Sequence, residues 1–93
     1  MIRSFHDADC EALFYGRRPR RLPPDIHRAA QRKLRQLHAA EALLDLRAPP
    51  GNRLEMLKGD RAGQHSIRIN DQWRICFVWT DAGPERVEIT DYH

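Results

Sequence analysis

Residues 53–75 have the sequence RLEMLKGDRAGQHSIRINDQWRI, in which apolar and polar side chains alternate around a glycine-bearing turn. Successive side chains of a strand point to opposite faces, so the alternation predicts strands over residues 53–57 and His65–Ile69. The turn between them is Lys58–Gln64, and a third strand is predicted over Trp73–Trp79. The second half of the chain therefore begins as an antiparallel sheet.

The loop Asn70–Gln72 sets the register between the second and third strands. A loop of three residues keeps the apolar side chains on one face. It pairs Ile69 with Trp73, Ile67 with Ile75, and Ser66 with Cys76. It also places Arg68 directly opposite Arg74, and like charges in that arrangement destabilise a sheet. Either this face meets a phosphate, or Glu55, Glu88 or Asp91 neutralises the two guanidinium groups.

A fourth strand is predicted over Arg86–Tyr92, after a loop that contains Asp81–Pro84. Pairing Trp79 with Glu85 brings Phe77 beside Val87, Ile75 beside Ile89 and Arg74 beside Thr90. One face of the sheet is then apolar. The other is polar, open and partly cationic, and it carries Arg68, Arg74, Glu88, Thr90 and Tyr92. The same alternation places Asp91 and His93 on the apolar face.

The first half of the chain has helical patterns. Ile2–Phe5 alternates like a short edge strand, and a helix is predicted over Asp7–Tyr15 with Gly16 at its C-terminal end. A second helix or helix pair spans roughly residues 25–46, with a break near residues 38–41. Its apolar stripe is Ile26, Ala30, Leu34, Leu37 and Leu44. The predicted fold class is α+β, a curved antiparallel sheet of four or five strands with two or three N-terminal helices packed on one face.

The charge of the chain is uneven. The sequence has 93 residues and a net charge of +3, and 14 of its 16 cationic residues are arginine. Nine cations and four acids lie in residues 1–36, which indicates a nucleic-acid partner or a genome rich in arginine codons. The loop 16–24 holds Arg17, Arg18, Arg20 and Arg21, which would either be solvated or attract phosphate.

Length and composition bound the remaining possibilities. The chain is predicted to form a single domain over residues 1–93. No segment approaches the roughly 18 apolar residues of a membrane span, and the start is too polar for a signal peptide, so a cytoplasmic protein is expected. Cys10 and Cys76 are expected to be free thiols.

Motifs for cofactors and metals are missing from the sequence. It contains no glycine-rich phosphate loop, no dinucleotide fingerprint and no Cys/His set with zinc spacing, so no cofactor and no metal are expected. Instead, ionisable residues gather in the predicted strands and turns. Metal-free RNA cleavage needs such a set: a base for the 2′-hydroxyl, cations for the phosphate and an acid for the departing 5′-oxygen. A solvated sheet edge would have the same composition.

The stretch 53–75 resembles the core of HigB-type toxins, in the RelE/ParE superfamily of toxin–antitoxin systems. It is closest to the HigB/GraT branch, given residues 49–53 and 63–66. The residues Asp91-Tyr92-His93 resemble the end of that family, and Ile2–Phe5 resembles its first strand. The resemblance implies a type II toxin that is a ribosome-dependent endoribonuclease and cuts mRNA.

The resemblance also implies roles for particular residues. Lys58 and Arg74 would bind the phosphate, and Asp91, Tyr92 and His93 would transfer protons and stack on a base. Glu55 stands where some HigB toxins have a histidine, so it would be either a base or an ion-pair partner of Lys58. Further contacts to RNA are expected from Arg61, Arg68 and the four arginines of the loop 16–24.

The partners implied by the resemblance are the ribosome with its mRNA and a HigA/GraA-like helix-turn-helix antitoxin. Two toxins with two antitoxins is the common arrangement. Two alternatives stay open at this point. One is a ParE-like toxin that binds DNA gyrase without nuclease activity, and the other is a non-catalytic RNA-binding module.

Overall fold

A computed structural model of the chain describes residues 1–91 and has the α+β architecture that the sequence predicts. The helices are α1 (Ala8–Phe14) and α2 (His27–Ala39). The strands are β1 (Glu55–Met56), β2 (His65–Arg68), β3 (Arg74–Thr80) and β4 (Gly83–Thr90). Short 3₁₀ segments lie at Pro24–Ile26, Leu43–Arg47, Pro50–Asn52 and Gly59–Arg61. The four strands pair antiparallel in the order β1-β2-β3-β4.

The register between β2 and β3 is the predicted one. Ser66 pairs with Cys76, Ile67 with Ile75, and Arg68 with Arg74. The Ile69 amide donates to the Trp73 carbonyl at 2.9 Å, which closes the three-residue loop. The Asn70 side chain accepts bonds from the backbone amides of Gln72 and Trp73, so the loop conformation is encoded locally.

The register between β3 and β4 differs from the prediction in the half nearest the turn. Ile75 pairs with Ile89 as expected, but Trp79 pairs with Pro84 rather than with Glu85. A β-bulge between Cys76 and Val78 places both Arg86 and Val87 opposite Phe77, which shifts all later pairs by one. Arg86 has a φ of 52°, a left-handed conformation that the alternating pattern does not predict.

The predicted edge strand at Ile2–Phe5 is reduced to one bridge. Phe5 forms a parallel bridge with Val87, and the amide of Arg3 donates to the Pro84 carbonyl at 2.8 Å. The bulge explains why this segment does not form a strand of several residues. The Arg86 amide bonds to the Ser4 side-chain oxygen at 2.9 Å and is therefore lost to a regular ladder.

Helix α1 begins and ends as its sequence predicts. The Asp7 carboxylate accepts from the Cys10 amide at 2.8 Å and caps the N-terminus. At the other end, Gly16 has a φ of 86°, and the amides of Gly16 and Arg17 donate back to carbonyls of the last turn.

The core lies between the helices and one face of the sheet. Helix α2 contributes Ala30, Leu34 and Leu37, which are fully buried against the apolar side chains of β2, β3 and β4. The predicted break after α2 is present, but Leu44 is 63% exposed and Leu46 is buried instead. The backbone is extended at Ala40 and Ala42, between α2 and the 3₁₀ segment, so the apolar stripe does not continue to Leu44. Within residues 1–91, no helix is long and apolar enough to cross a membrane.

Candidate functional site

The second face of the sheet carries one polar or thiol side chain from each strand in a single row. Glu55 pairs with Ser66, Ser66 with Cys76, and Cys76 with Glu88. This face was expected to be open, yet Ser66 and Cys76 are completely buried. Arginine side chains lie over this face, since Arg74 bonds to Ser66 and Arg61 pairs with Glu88.

Arg74 is held at the centre of this face. Its Nε donates to the Ser66 hydroxyl at 2.8 Å, and its Nη2 donates to the Arg53 carbonyl at 2.7 Å. A weaker bond links Nη2 to the Ser66 carbonyl at 3.4 Å. Glu55 lies 3.9 Å from Nη2 and is 54% exposed, whereas the Arg74 side chain is only 14% exposed. The result is a fixed guanidinium beside an accessible carboxylate.

The neighbouring Arg68 is neutralised by a residue that the sequence reading did not consider. Its Nη2 bonds to the carboxylate of Asp71 in the β2–β3 loop, a side chain that is 98% exposed. Glu55 is the predicted acid that approaches Arg74. An exposed partner such as Asp71 holds its arginine weakly, so Arg68 is able to exchange it for another anion.

Among the described residues, Glu88 and Gln64 hold Arg61 on the same face. Its Nη1 lies 2.7 Å from a Glu88 oxygen and 3.1 Å from the Gln64 side-chain oxygen. His6 approaches the other Glu88 oxygen at 3.2 Å. His6 was not predicted here, since only the packing of the N-terminal segment on β4 brings it near. These residues line a cleft of about 480 Å³ together with Asp60 and Arg86.

Lys58 lies two residues beyond the end of β1 and three after Glu55, and it is exposed. The backbone bends sharply there, because Gly59 has a φ of 64° and Gly59–Arg61 forms a 3₁₀ turn. An ammonium group at this place is free of any ion pair among the described residues. Glu55 does not form an ion pair with Lys58 in the structure, since its carboxylate approaches Arg74 instead.

Asp91 is exposed just beyond β4, and its carboxylate accepts a hydrogen bond from the Gln72 side-chain Nε2 at 2.8 Å. The end of β4 and the β2–β3 loop therefore meet. Two further predicted site residues, Tyr92 and His93, lie outside the described residues.

The arginine loop is partly ordered by acids of α1. Arg21 bonds to Asp9 and, at 3.1 Å, to Asp7, and these bonds raise the pKa of its guanidinium above the ordinary value. Arg17, Arg18 and Arg20 are exposed. The first two line a cavity of about 230 Å³ beside α2. Since α2 packs on the apolar face of the sheet, this loop lies away from Arg74.

A buried polar cluster, which the sequence did not predict, lies next to Arg53, the residue whose carbonyl accepts from Arg74. Asn52 is fully buried and accepts a hydrogen bond from the ammonium of Lys33, which is only 8% exposed. Burial, with the nearby charges of Arg32 and Arg68, lowers the pKa of Lys33. A signal in the sequence was available, because Lys33 lies three residues after Ala30 and four before Leu37, on the same side of α2.

Both cysteines are free and buried. Burial raises the pKa of Cys76 from 9.0 to about 11, and burial also raises the pKa of Cys10, assisted by the charge of Asp7. Among residues 1–91, no three His, Cys, Asp or Glu side chains come together in a way that could hold a metal ion.

Two N-terminal helices on a four-stranded antiparallel sheet, with arginines fixed on the polar face, define a toxin of the RelE superfamily. A family model described as a RelE-like toxin of the type II toxin-antitoxin system HigB matches residues 3–93. The chain therefore belongs to the HigB-like toxin family. Membership in a type II system implies a cognate antitoxin.

The chain is also similar to two known proteins, one of which is named a HigB toxin. The chain is 51% identical over 82 residues to Toxin HigB-1 of Vibrio cholerae serotype O1, which covers 87% of this chain and 86% of that protein. It is also 36% identical over 65 residues to an uncharacterized protein of Haemophilus influenzae, covering 70% of this chain and 64% of that protein.

Proposed function

We propose that the chain is a ribosome-dependent endoribonuclease that cleaves mRNA and so inhibits translation. The observation that carries the proposal is the pair formed by Arg74 and Glu55. A largely covered guanidinium, fixed by Ser66 and the Arg53 carbonyl, lies 3.9 Å from an accessible carboxylate. A fixed cation next to a base is the arrangement that stabilises a phosphorane-like transition state.

The reaction needs no cofactor in this proposal. The 2′-hydroxyl loses its proton to a base and attacks the adjacent phosphorus. The bond to the 5′-oxygen breaks, and an acid protonates that oxygen, which leaves a cyclic phosphate and a 5′-hydroxyl. Arg74 and Lys58 hold the charge that builds on the phosphate oxygens.

The proton transfers are assigned to Glu55, Asp91 and His93. Glu55 is 54% exposed, so it can reach a substrate hydroxyl. A carboxylate serves as a base, whereas an imidazole titrates near neutral pH and can supply the leaving-group proton. Tyr92 would stack on a base of the RNA.

The remaining arginines bind RNA outside the reacting phosphate. Arg61 and Arg68 share the sheet face with Arg74. The loop arginines lie on the helix side, where they would contact the phosphate backbone of ribosomal RNA. They are Arg17, Arg18, Arg20 and Arg21. A site this small holds free RNA weakly, so we expect negligible cleavage without ribosomes.

The antitoxin would be a HigA/GraA-like helix-turn-helix protein, two copies with two toxins. The described part of the chain offers no recognition helix of its own, so operator binding would come from the antitoxin.

The test is to map mRNA 5′ ends after brief expression of the wild type, Arg74→Ala and His93→Ala. Arg47→Ala is the matched control, because Arg47 is exposed and belongs to no part of the site. We expect new ends inside translated messages with the wild type and the control, and a loss of about a hundredfold or more with the two site variants.

Other outcomes would identify the alternatives. Growth arrest with intact messages would favour binding to gyrase or to the ribosome without cleavage. Rapid cutting of naked RNA would contradict the dependence on ribosomes. Toxicity that persists after deletion of His93 would remove that residue from the chemistry.

A further inference from the structure

Asn52 satisfies every polar atom of its side chain inside the protein. Its Oδ1 accepts from the Lys33 ammonium, and its Nδ2 donates to the Leu46 carbonyl at 3.1 Å and to the Ala48 carbonyl at 3.2 Å. Gln36 lies 3.5 Å from the same Nδ2. The side chain thereby joins α2 to the segment that leads into β1.

The residue after Asn52 has an unusual backbone conformation. Arg53 has φ 45° and ψ 58°, in the left-handed region, although its side chain is not glycine. That conformation costs an L-residue about 1 kcal/mol or more, so the surrounding structure has to maintain it. The anchored Asn52 and the bond from the Arg53 amide to the Pro50 carbonyl at 3.2 Å provide that support.

The carbonyl of Arg53 in turn holds Arg74. It accepts from Nη2 at 2.7 Å, while Ser66 accepts from Nε at 2.8 Å. Two acceptors, one in the segment before β1 and one in β2, fix the plane of the guanidinium. Among the described residues, the hydrogen bonds of Arg74 use Nε and Nη2. Nη1 therefore remains for an oxygen of the substrate phosphate.

We propose that Asn52 is a positioning residue that orients Arg74 through the carbonyl of Arg53, with Lys33 as its anchor. The part that concerns catalysis rests on the function proposed above. The reason for an asparagine is its inventory of one acceptor and two donors. An aspartate would turn a carboxylate oxygen toward two carbonyl oxygens, and an apolar residue would leave Lys33 without its acceptor.

The first experiment measures Arg74 directly and does not need activity. The ¹H–¹⁵N signal of the Arg74 Nε–H, assigned by its loss in Arg74→Lys, reports how often the bond to Ser66 opens to water. We expect its solvent exchange to be at least tenfold faster in Asn52→Ala. Leu46→Ala is the matched control, because Leu46 is equally buried nearby and the variant keeps the Leu46 carbonyl.

Lys33→Met provides a second variant if Asn52→Ala fails to fold, since it keeps Asn52 but removes its anchor. We expect exchange at least threefold faster than in the wild type. Exchange of the Arg74 signal that is unchanged in the folded Asn52→Ala protein, or unchanged in Lys33→Met, overturns the proposal. Equal acceleration in Leu46→Ala also overturns it, because destabilisation alone would then explain the effect.

The second experiment is a double-mutant cycle in single-turnover cleavage of ribosome-bound mRNA. At saturating ribosomes, Asn52→Ala should lower the cleavage rate about tenfold or more, with the half-saturating concentration changed less than about twofold. In an Arg74→Ala background, Asn52→Ala should change the rate less than about twofold. Multiplicative losses would overturn the catalytic part of the proposal.

The two experiments separate this inference from the function on which it rests. If the wild type does not cleave mRNA but the Arg74 signal responds to Asn52→Ala, the proposed function is wrong and the positioning role stands. If cleavage occurs and the signal does not respond, the positioning role is wrong and the function stands.

Discussion

Several side chains on the polar face each form hydrogen bonds or ion pairs with more than one residue. Glu88 accepts from Arg61 and faces His6, and Arg74 bonds to β2 and to the segment before β1. The Arg68–Arg74 pair was predictable, because loop length and alternation determine register locally. The contacts of His6 and Asn52 were not predictable, since they join segments that only packing of the whole chain brings together.

Arg74→Lys tests whether geometry matters beyond charge. A lysine keeps the charge, but one ammonium cannot replace a planar fork that bonds the Ser66 hydroxyl and the Arg53 carbonyl together. We expect ribosome-dependent cleavage to fall about tenfold to a hundredfold. Arg47→Lys, at an exposed position outside the site, should cleave like the wild type. Full activity of Arg74→Lys would show that charge alone suffices.

At the scale of elements, the sequence predicted the helices and the four strands of the sheet. It was wrong at three places: the edge strand at Ile2–Phe5, which is reduced to one bridge, the stripe of α2 and the β3–β4 pairing. The stripe of α2 was extended to Leu44, because an alanine-rich segment does not mark where the helix ends and extended backbone begins. The β3–β4 pairing was predicted without the bulge, because alternation continues through Arg86. A left-handed arginine carries no local signal such as a glycine would give.

The cap of α1 makes a measurable contribution to stability. Asp7→Ala removes the acceptor of the Cys10 amide and should lower the free energy of unfolding by about 1 kcal/mol. Asp9→Ala is the control, since Asp9 also bonds to Arg21 but caps nothing. Urea denaturation of both variants gives the comparison, and equal losses would mean that Arg21, not the cap, carries the effect.

Gly83 at the start of β4 cannot accept a side chain. Its φ is 128°, and a Cβ there would lie 2.3 Å from the carbonyl oxygen of Met1. Gly83→Ala should therefore lower the free energy of unfolding by about 1–3 kcal/mol. Gly51→Ala is the matched control, because nothing lies within 4 Å of its Cβ position. Thermal melting of the two variants tests the difference, and similar melting temperatures would contradict it.

Considered as a whole, the molecule has a core between a layer of helices and the apolar face of the sheet. Composition and pattern predicted the layers, because apolar side chains have to share one face of the sheet. The partial burial of the polar face was not predicted, since it depends on where long arginine side chains fold back. This burial raises the pKa of Cys76 to about 11.

The raised thiol pKa predicts how stability changes at alkaline pH. The unfolded chain releases the Cys76 proton near pH 9.0, whereas the folded chain keeps it until about pH 11. The unfolded state then binds fewer protons, so stability is full below pH 9 and falls as the pH rises toward 11. Between pH 8 and pH 10, the wild type should lose about 1 kcal/mol more than Cys76→Ala. Urea melts at both values measure this, and parallel losses would refute it.

Because both thiols are buried, their reaction with a thiol reagent reports local unfolding of the protein. A maleimide reagent reaches neither sulfur in the folded protein, so each modified molecule marks one opening event. Cys10 lies in α1 and Cys76 in β3. Two single-cysteine variants would thus measure two rates with one reagent and no added label. One is the rate of local unfolding around α1, and the other is the rate of local unfolding around β3.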